Sequence, residues 1–485
     1  MEKNQALQPA SVWHYFQELC KVPRPSFKTQ AVQQWLLDFA KAHGLESVHD
    51  KAGNVIIRKP ATTGMENARP VILQGHMDMV CEKNGDVKHD FEKDPIDYYV
   101  DGDWMKARGT TLGADNGIAI AMSLALLAAD DIKHGPVECL FTVDEEVGLV
   151  GASNIEPGLL KGKTLINLDS EDDHWICIGC AGGINTLAHF AYETEKAPAD
   201  TYFFKLTING LNGGHSGSDI NLGRGNANQL LVRFFYETAR EMPLCLASFV
   251  GGGLSNAIPR EAYFIAGVPF ARKEDLRVRV NLYEAALKAE FGQIEAGLKL
   301  TLETAEAPAE VLKKADTARF IASMYACPNA VIRMNKDMPD QVDTSTNLAS
   351  VKPTVGKDKE WTIVTSQRSS IESSKLDVVG RVQAIFELAG MKTEHTEGYP
   401  GWTPNADSPL LKLMVEVHKD LFGEDPVIYA IHAGLECGLF LEKYPDWDMV
   451  SIGPTMRGVH SPDEKLYVPS VDSIWRFLLA VMAKM

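Results

Sequence analysis

The fold of this chain is decided by the stretch Val71-Ile72-Leu73-Gln74-Gly75-His76-Met77-Asp78. Its apolar beginning and polar end are typical of a buried strand that reaches the edge of a sheet. Short apolar runs bounded by glycine, proline, asparagine or aspartate recur at 55–57, 137–143, 165–168, 427–431 and 449–452. Because strands of parallel sheets have this composition, we predict an α/β fold: a mostly parallel sheet with helices on both faces.

The pattern changes in the middle of the chain, between residues 186 and 398. Residues 202–208 alternate like a half-buried strand, a helical pattern follows at 228–241, and another strand is predicted at 262–268. This succession is typical of an antiparallel sheet with helices on one face, and a similar succession recurs from 315 to 397. We therefore predict one domain from 1–185 and 399–485, interrupted by a large α+β domain at 186–398 that contains two related halves.

Composition excludes several classes of partner. The 485 residues carry a formal net charge of −17, which would repel the phosphate backbone of a nucleic acid. An uninterrupted apolar run of about 18 residues, which a membrane span requires, is missing from the sequence. The first residues resemble an amphipathic segment rather than a signal peptide, and the eight cysteines are scattered like reduced thiols. We expect a cytoplasmic protein that binds neither nucleic acid nor membrane.

His76 and Asp78 end the strand at 71–76 with two polar groups. Alternation along a strand places both side chains on the same side, so Asp78 can orient the imidazole of His76 or a metal bound to it. Taken alone, this pair has a simpler interpretation as a solvated His-x-Asp sequence.

Asp115 lies in the sequence Gly113-Ala114-Asp115-Asn116-Gly117, directly before an apolar helical segment. Two interpretations are compatible here: the carboxylate caps the helix, or its two oxygens bridge two metal ions. Glu145 and Glu146 follow the apolar strand at 137–143. Adjacent side chains at a strand end point apart, so one glutamate can bind a metal while the other moves a proton, although a charged turn is the commoner fate of such a pair.

Asp169 ends a buried strand as His76 does, and His460 follows the last predicted strand. His432 is the only other histidine in a comparable position, and we take His460 as the distant ligand. The combined set of two histidines, three carboxylates and one spare glutamate suits zinc, with cobalt or manganese as replacements. Two metal ions that share Asp115 would hold a hydroxide and polarise a carbonyl, which predicts hydrolysis.

These motifs, taken in order along the whole chain, resemble the cocatalytic-zinc metallopeptidases, which include carboxypeptidases, tripeptide aminopeptidases, aminoacylases and carnosine-cleaving enzymes. The longer runs at 108–117, 431–438 and His460-Ser461-Pro462-Asp463-Glu464 look like those of the aminoacyl-histidine (Xaa-His) dipeptidases. The resemblance implies five ligands for two zinc ions: His76 and Asp169 for one, Glu146 and His460 for the other, and Asp115 between them. It also implies that Glu145 is the general base and that Asp78 supports His76.

The inserted domain then corresponds to the lid domain of this family. The resemblance implies that His215, in Asn212-Gly213-Gly214-His215-Ser216-Gly217, stabilises the oxyanion of the reaction. Asn256 and Arg368 would bind substrate, since a guanidinium pairs well with a terminal carboxylate, and Gly434 would let the substrate backbone approach closely. The lid is longer than in simpler members and could supply these groups within one chain, so both a monomer and a homodimer remain open.

The predicted function is hydrolysis of dipeptides, in particular Xaa-His dipeptides such as carnosine, by a two-zinc peptidase. Two alternatives are a related amidohydrolase acting on N-acyl amino acids or tripeptides, and a metal-binding protein without catalytic activity. An intact Glu145 argues against the second alternative, because binding alone requires no free base.

Overall fold

A computed structural model describes residues 7–485, and the chain divides into two compact units. The first unit contains the chain up to Gly179 together with Trp402–Ala430 and Leu435–Met485. The second unit contains Cys180–Gly401 and the short segment Ile431–Gly434. These boundaries lie a few residues from those proposed above, and no sequence pattern indicated that Ile431–Gly434 would join the second unit.

The first unit is built on an eight-stranded sheet. Its strands, in order across the sheet, are Glu46–His49, Val55–Lys59, Val137–Thr142, Val71–His76, Thr164–Asn167, Asp448–Ser451, Trp175–Cys180 and Val427–Ile431. The four central strands, from Val137–Thr142 to Asp448–Ser451 in this order, pair with one another in parallel. The strand on each side of these four, Val55–Lys59 and Trp175–Cys180, pairs with them antiparallel. The α/β class is confirmed, with parallel pairing confined to the four central strands. The first two strands are joined by a short turn, which permits only antiparallel pairing.

The helices of the first unit are Ala10–Leu19, Gln30–Ala42, Ala114–Ala128, Val150–Asn154, Pro409–Phe422, Glu436–Lys443 and Val468–Lys484. Helix Ala114–Ala128 is buried along almost its whole length and packs against strand Val71–His76. Helix Pro409–Phe422 has a capped start: Ser408 accepts a hydrogen bond from the backbone of Leu411, and proline occupies the first turn. Within residues 7–485, no helix is long and apolar enough to cross a membrane.

A smaller sheet in the first unit carries the loop of His460. Its four strands are, in order, Met456–Arg457, Lys465–Tyr467, Trp104–Ala107 and Tyr98–Asp101. All the pairs are antiparallel, so the segment between the first two strands is a closed loop.

The second unit contains a nine-stranded antiparallel sheet. Eight strands follow in the order Lys299–Thr304, Thr201–Asn209, Ala262–Pro269, Cys245–Gly252, Val342–Pro353, Glu360–Ser369, Gly182–Ala191 and Lys392–His395, and Ala330–Met334 pairs with the fifth. Two short ladders pair Thr194–Lys196 with Glu310–Leu312 and Gly214–His215 with Ala257–Ile258. The helices are Ala227–Ala239, Lys273–Phe291, Lys314–Ala326 and Glu372–Leu388, with short 3-10 turns at Phe270–Arg272 and Gly292–Glu295. Both predicted halves contribute to one core, which includes Phe204, Phe264, Phe320 and Phe386.

Candidate metal centre and substrate groups

The predicted ligands of the first unit lie together, although they come from different elements. His76, Glu146 and Asp169 end or follow central parallel strands, Asp115 lies at a helix start, and His460 lies in the loop of the smaller sheet. His76 is the last residue of its strand, and its Nε2 lies 3.0 Å from Asp115 Oδ1 and 3.6 Å from Asp169 Oδ1. His460 Nε2 lies 3.1 Å from Asp115 Oδ2 and 3.0 Å from Glu146 Oε2. Ligand atoms of His76, Asp115 and Glu146 all lie within 4.8 Å of one another, so they can hold a metal ion.

Asp115 occupies the centre of this group and directs one oxygen toward each histidine. Its carboxylate does not cap the helix that begins beside it, because Gly113 occupies the N-cap position and the Asp115 oxygens bond to His76 and His460 instead. The helix-capping interpretation of Asp115 is therefore wrong. Both carboxylate oxygens of Asp115 are therefore available to bind metal ions, as a bridging ligand requires.

Asp78 does more than orient the neighbouring imidazole. Its Oδ1 lies 3.3 Å from His76 Nδ1, as the alternation of the strand suggested. The same carboxylate also accepts hydrogen bonds from the backbone nitrogens of Glu145 and Glu146, at 3.0 and 3.3 Å, and from the hydroxyl of Ser26 at 2.7 Å. Asp78 thus fixes the backbone of both adjacent glutamates as well as the histidine.

The two glutamates differ in their surroundings. Glu146 contacts His460 through Oε2, and its Oε1 is buried with no hydrogen-bond partner among the described residues. The carboxylate of Glu145 has neither a hydrogen bond nor an ion pair to any residue in 7–485, so it is available to take a proton. Burial raises the pKa of Glu145 to about 8, and the neighbouring charge of Glu436 adds to this rise while His76 opposes it.

The electrostatics of the group fit a cation. Burial raises the pKa of Asp169 well above its usual value, and the negative charges of Asp115 and Glu145 add to this rise while His76 opposes it. Hydrogen bonds to Asp115 and Glu146 raise the pKa of His460 to about 11. Burial alone would lower the pKa of His76, but the surrounding carboxylates raise it well above its usual value. This excess of buried negative charge, together with the unpartnered oxygen of Glu146, is what divalent metal ions would neutralise.

Three buried or half-buried groups near the centre were not singled out from the sequence. Asn116 accepts from the backbone of His76 and donates to the carbonyl of Leu168, which ties two strand ends together. Glu436 accepts from Gln74 and Thr142, at 2.5 and 2.9 Å, and burial raises its pKa to about 7. The third group is Glu464, whose carboxylate accepts hydrogen bonds from the backbone nitrogens of residues 112–115. Asn116 and Glu464 lay inside quoted motifs, but nothing in the local pattern distinguished them from helix or loop residues.

His215 belongs to the second unit and lies in a tight turn. Its Nδ1 accepts hydrogen bonds from the backbone nitrogens of Gly217 and Ser218, at 3.3 and 3.0 Å. This pattern places the ring proton on Nε2, where it can be donated. Asp219 accepts from the backbone nitrogen of His215 at 2.9 Å, and the carbonyl of Asn256 accepts from Ser216 at 2.7 Å. The side chain of Asn256 is exposed beside this turn.

Arg368 lies in the second unit, on the strand Glu360–Ser369, and is only 6% exposed. It donates a hydrogen bond from Nη1 to the Tyr399 hydroxyl at 2.8 Å, while its Nε has no partner among the described residues. Nearby, His432 bonds through Nε2 to Ser345 at 2.7 Å, and its Nδ1 is buried with no hydrogen-bond partner in residues 7–485. Burial lowers the pKa of His432 to about 3, and the charge of Arg368 adds to this effect. A buried guanidinium with an unpartnered N–H group is suited to an anionic group.

Gly434 has a different neighbour from the one expected. A Cβ atom at this position would come within 2.8 Å of the Tyr399 ring. The lack of a side chain therefore makes room for the tyrosine that bonds to Arg368. Tyr399 belongs to no recognisable local motif, and His432 lies in the run at 431–438 but had no role assigned to it from the sequence.

Comparisons with known proteins identify the family to which the chain belongs. Residues 72–484 match the family described as peptidase family M20/M25/M40. Over 484 residues, covering 99% of each protein, the chain is 45% identical to the cytosol non-specific dipeptidase of Escherichia coli (strain K12). The crystal structure of aminoacylhistidine dipeptidase from Vibrio alginolyticus matches with a TM-score of 0.91 and 44% identity, covering 100% of this chain and 98% of that one. A tripeptidase from Staphylococcus aureus shares the fold, with a TM-score of 0.56 and 15% identity over 99% of both chains. The predicted resemblance is confirmed, and the chain belongs to peptidase family M20/M25/M40.

Proposed function

We propose that this chain is a two-zinc dipeptidase that hydrolyses Xaa-His dipeptides, including carnosine-like substrates. The observation that carries this proposal is Asp115, whose two oxygens face two different histidines beside a glutamate that is free of partners. In this proposal His76 and Asp169 would hold one ion, Glu146 and His460 would hold the other, and Asp115 would be shared by both. The names of the relatives from Escherichia coli and Vibrio alginolyticus support the choice of dipeptides.

When bound, the metal ions would polarise the peptide carbonyl and lower the pKa of water. Glu145 would take a proton from the attacking water and return it to the leaving amine. Burial raises the pKa of Glu145 in the metal-free protein, and nearby bound cations would lower it again, which favours the carboxylate form that accepts a proton. Asp78 would keep Glu145 in place through the backbone hydrogen bond described above.

Two groups of the second unit have roles in this proposal. His215 would donate its Nε2 proton to the substrate oxygen on which negative charge develops. Arg368, supported by Tyr399, would bind the terminal carboxylate of the dipeptide, and Asn256 would contribute a further polar contact. The cytosol named for the Escherichia coli relative supports a cytoplasmic site of action.

A substrate panel tests the proposal. The purified protein should be stripped of metal with a chelator, reloaded with zinc, cobalt or manganese, and assayed on Xaa-His dipeptides, other dipeptides, tripeptides and N-acyl amino acids. We expect metal-dependent hydrolysis that is fastest on dipeptides, with Xaa-His among the best. Faster hydrolysis of N-acyl amino acids or tripeptides would show that one of these classes, and not dipeptides, is the substrate. If no compound of the panel is hydrolysed, the protein is a metal-binding protein without catalytic activity. Sedimentation of the active enzyme would distinguish a monomer from a homodimer.

A further inference from the structure

Glu464 is a buried carboxylate, only 3% exposed, that binds the backbone in front of helix Ala114–Ala128. Its Oε2 accepts from the backbone nitrogens of Leu112 and Gly113, at 2.7 and 2.9 Å. Its Oε1 accepts from those of Ala114 and Asp115, at 2.7 and 3.3 Å. Four successive N–H groups, two from the residues before the helix and two from its first residues, are thus satisfied by one side chain from the far end of the sequence.

This arrangement explains why Asp115 is available to the metal centre. An aspartate at a helix start commonly bonds to its own backbone, which would occupy at least one of its oxygens. Here Glu464 takes over the N–H groups, and the Asp115 oxygens face His76 and His460 instead.

Glu464 also connects two ligand loops. It lies four residues after His460, and its backbone nitrogen bonds to the carbonyl of Ser461 at 3.0 Å, which closes the loop behind the histidine. The strand Lys465–Tyr467 that follows pairs with Trp104–Ala107, so the position of Glu464 is held from its other side. One carboxylate therefore sets where the Asp115 backbone lies relative to the His460 loop.

Arg24 completes the arrangement from the opposite side and with the opposite charge. It is 4% exposed and donates to the carbonyls of Met77 and Asp78, at 3.1 and 2.9 Å, and to the carbonyl of Gly113. A Cβ atom at Gly113 or Gly117 would come within 2.4 or 2.7 Å of its guanidinium, so these glycines leave space for Arg24. Arg24 binds carbonyl groups of the ligand loops, and Glu464 binds their N–H groups.

We propose that Glu464 is a positioning residue of the metal centre, which holds the bridging Asp115 and the His460 loop in register. This inference rests on the proposed function, because it assigns Asp115 and His460 as metal ligands. It predicts that loss of the Glu464 carboxylate weakens metal binding although Glu464 itself touches no metal.

The test compares Glu464→Gln with Glu138→Gln. Glu138 is a matched control in the same unit: it is also buried and accepts from the backbone nitrogens of Lys161 and Gly162, at 2.7 and 2.8 Å, but at the opposite end of its strand. Zinc affinity and the number of bound ions are measured by competition with a chelator. We expect Glu464→Gln to weaken zinc binding by about 10- to 100-fold, which is usual for groups that support metal ligands, and Glu138→Gln to leave it within about twofold.

Glu464→Asp provides a second variant, which keeps the charge with a shorter reach and should recover part of the affinity. If Glu464→Gln does not fold, zinc binding by Glu464→Asp decides the question: parental affinity would overturn the proposal. Equal affinities in the parent and Glu464→Gln, or equal losses in Glu464→Gln and Glu138→Gln, would also overturn it while leaving the proposed function intact. A parent protein that binds no metal would overturn both.

Discussion

The two units assemble their polar groups by different means. In the first unit, His76 and Asp169 stand at or just past the ends of parallel strands, so chain direction alone brings them to one edge of the sheet. In the second unit, Arg368 meets Tyr399 and His432 meets Ser345 through antiparallel register and through a short segment from late in the chain. The first kind of site follows from local patterns, whereas the second depends on how distant segments pack.

This difference explains what could be predicted from the sequence. The strand-end residues around His76 lie together as expected, because each follows an apolar run that can only be a buried strand. Glu145 and Glu146 could not be told apart from the residues alone, and the structure distinguishes them through the contact of Glu146 with His460.

The groups that support the centre were harder to predict. Glu464 lies in a quoted motif, but its four hydrogen bonds reach backbone groups about 350 positions earlier, which no spacing reveals. Gly434 was expected to leave room for substrate, yet the space beside it holds the Tyr399 ring. Both cases depend on contacts between segments far apart in the sequence.

The largest effect is expected at Glu145, which belongs to the first unit. Glu145→Gln removes the proton acceptor but leaves the proposed ligands in place, so kcat should fall by about 10³-fold while metal content stays unchanged. Stopped-flow or discontinuous assays together with metal analysis would measure both. The neighbouring Asp144→Asn is the control and should stay within about threefold, and a comparable loss in that variant would contradict a special role for Glu145.

A smaller effect is expected at Arg368, in the second unit. Arg368→Lys keeps the positive charge but loses the bidentate fork, so KM for dipeptides should rise by about 10-fold with a smaller change in kcat. Dipeptides with an amidated C-terminus should lose this dependence, because they lack the carboxylate. Arg319→Lys, at an ion pair with Asp316 in the same unit, serves as the control. An equal response of free and amidated dipeptides would show that Arg368 does not bind the terminal carboxylate.

The smallest effect concerns the stability of the metal-free protein. Burial raises the pKa of Glu145 to about 8 and those of Glu171 and Glu436 to about 7. Between their ordinary pKa values and these raised ones, the folded state holds protons that the unfolded state releases, so stability decreases as pH rises. The Tm of the chelator-treated protein should therefore fall by a few degrees from pH 5 to pH 8.

The variant Glu436→Gln tests how much Glu436 contributes to this decrease of Tm with rising pH. The amide cannot titrate, so the variant should show a shallower loss of Tm with rising pH than the parent. Zinc should raise the Tm most strongly at the high end of the range, because it neutralises the carboxylates that have then lost their protons. A Tm that does not change with pH in the metal-free parent would contradict the proposed crowding of acidic groups.

The central claim is that the group around Asp115 binds two metal ions that are both needed for hydrolysis. Titration of zinc into the metal-free protein, with bound zinc and dipeptide hydrolysis measured in the same samples, tests this claim most directly. We predict no hydrolysis without metal and full activity only when two zinc ions are bound per chain. Full activity without metal, or at one bound ion per chain, would contradict it.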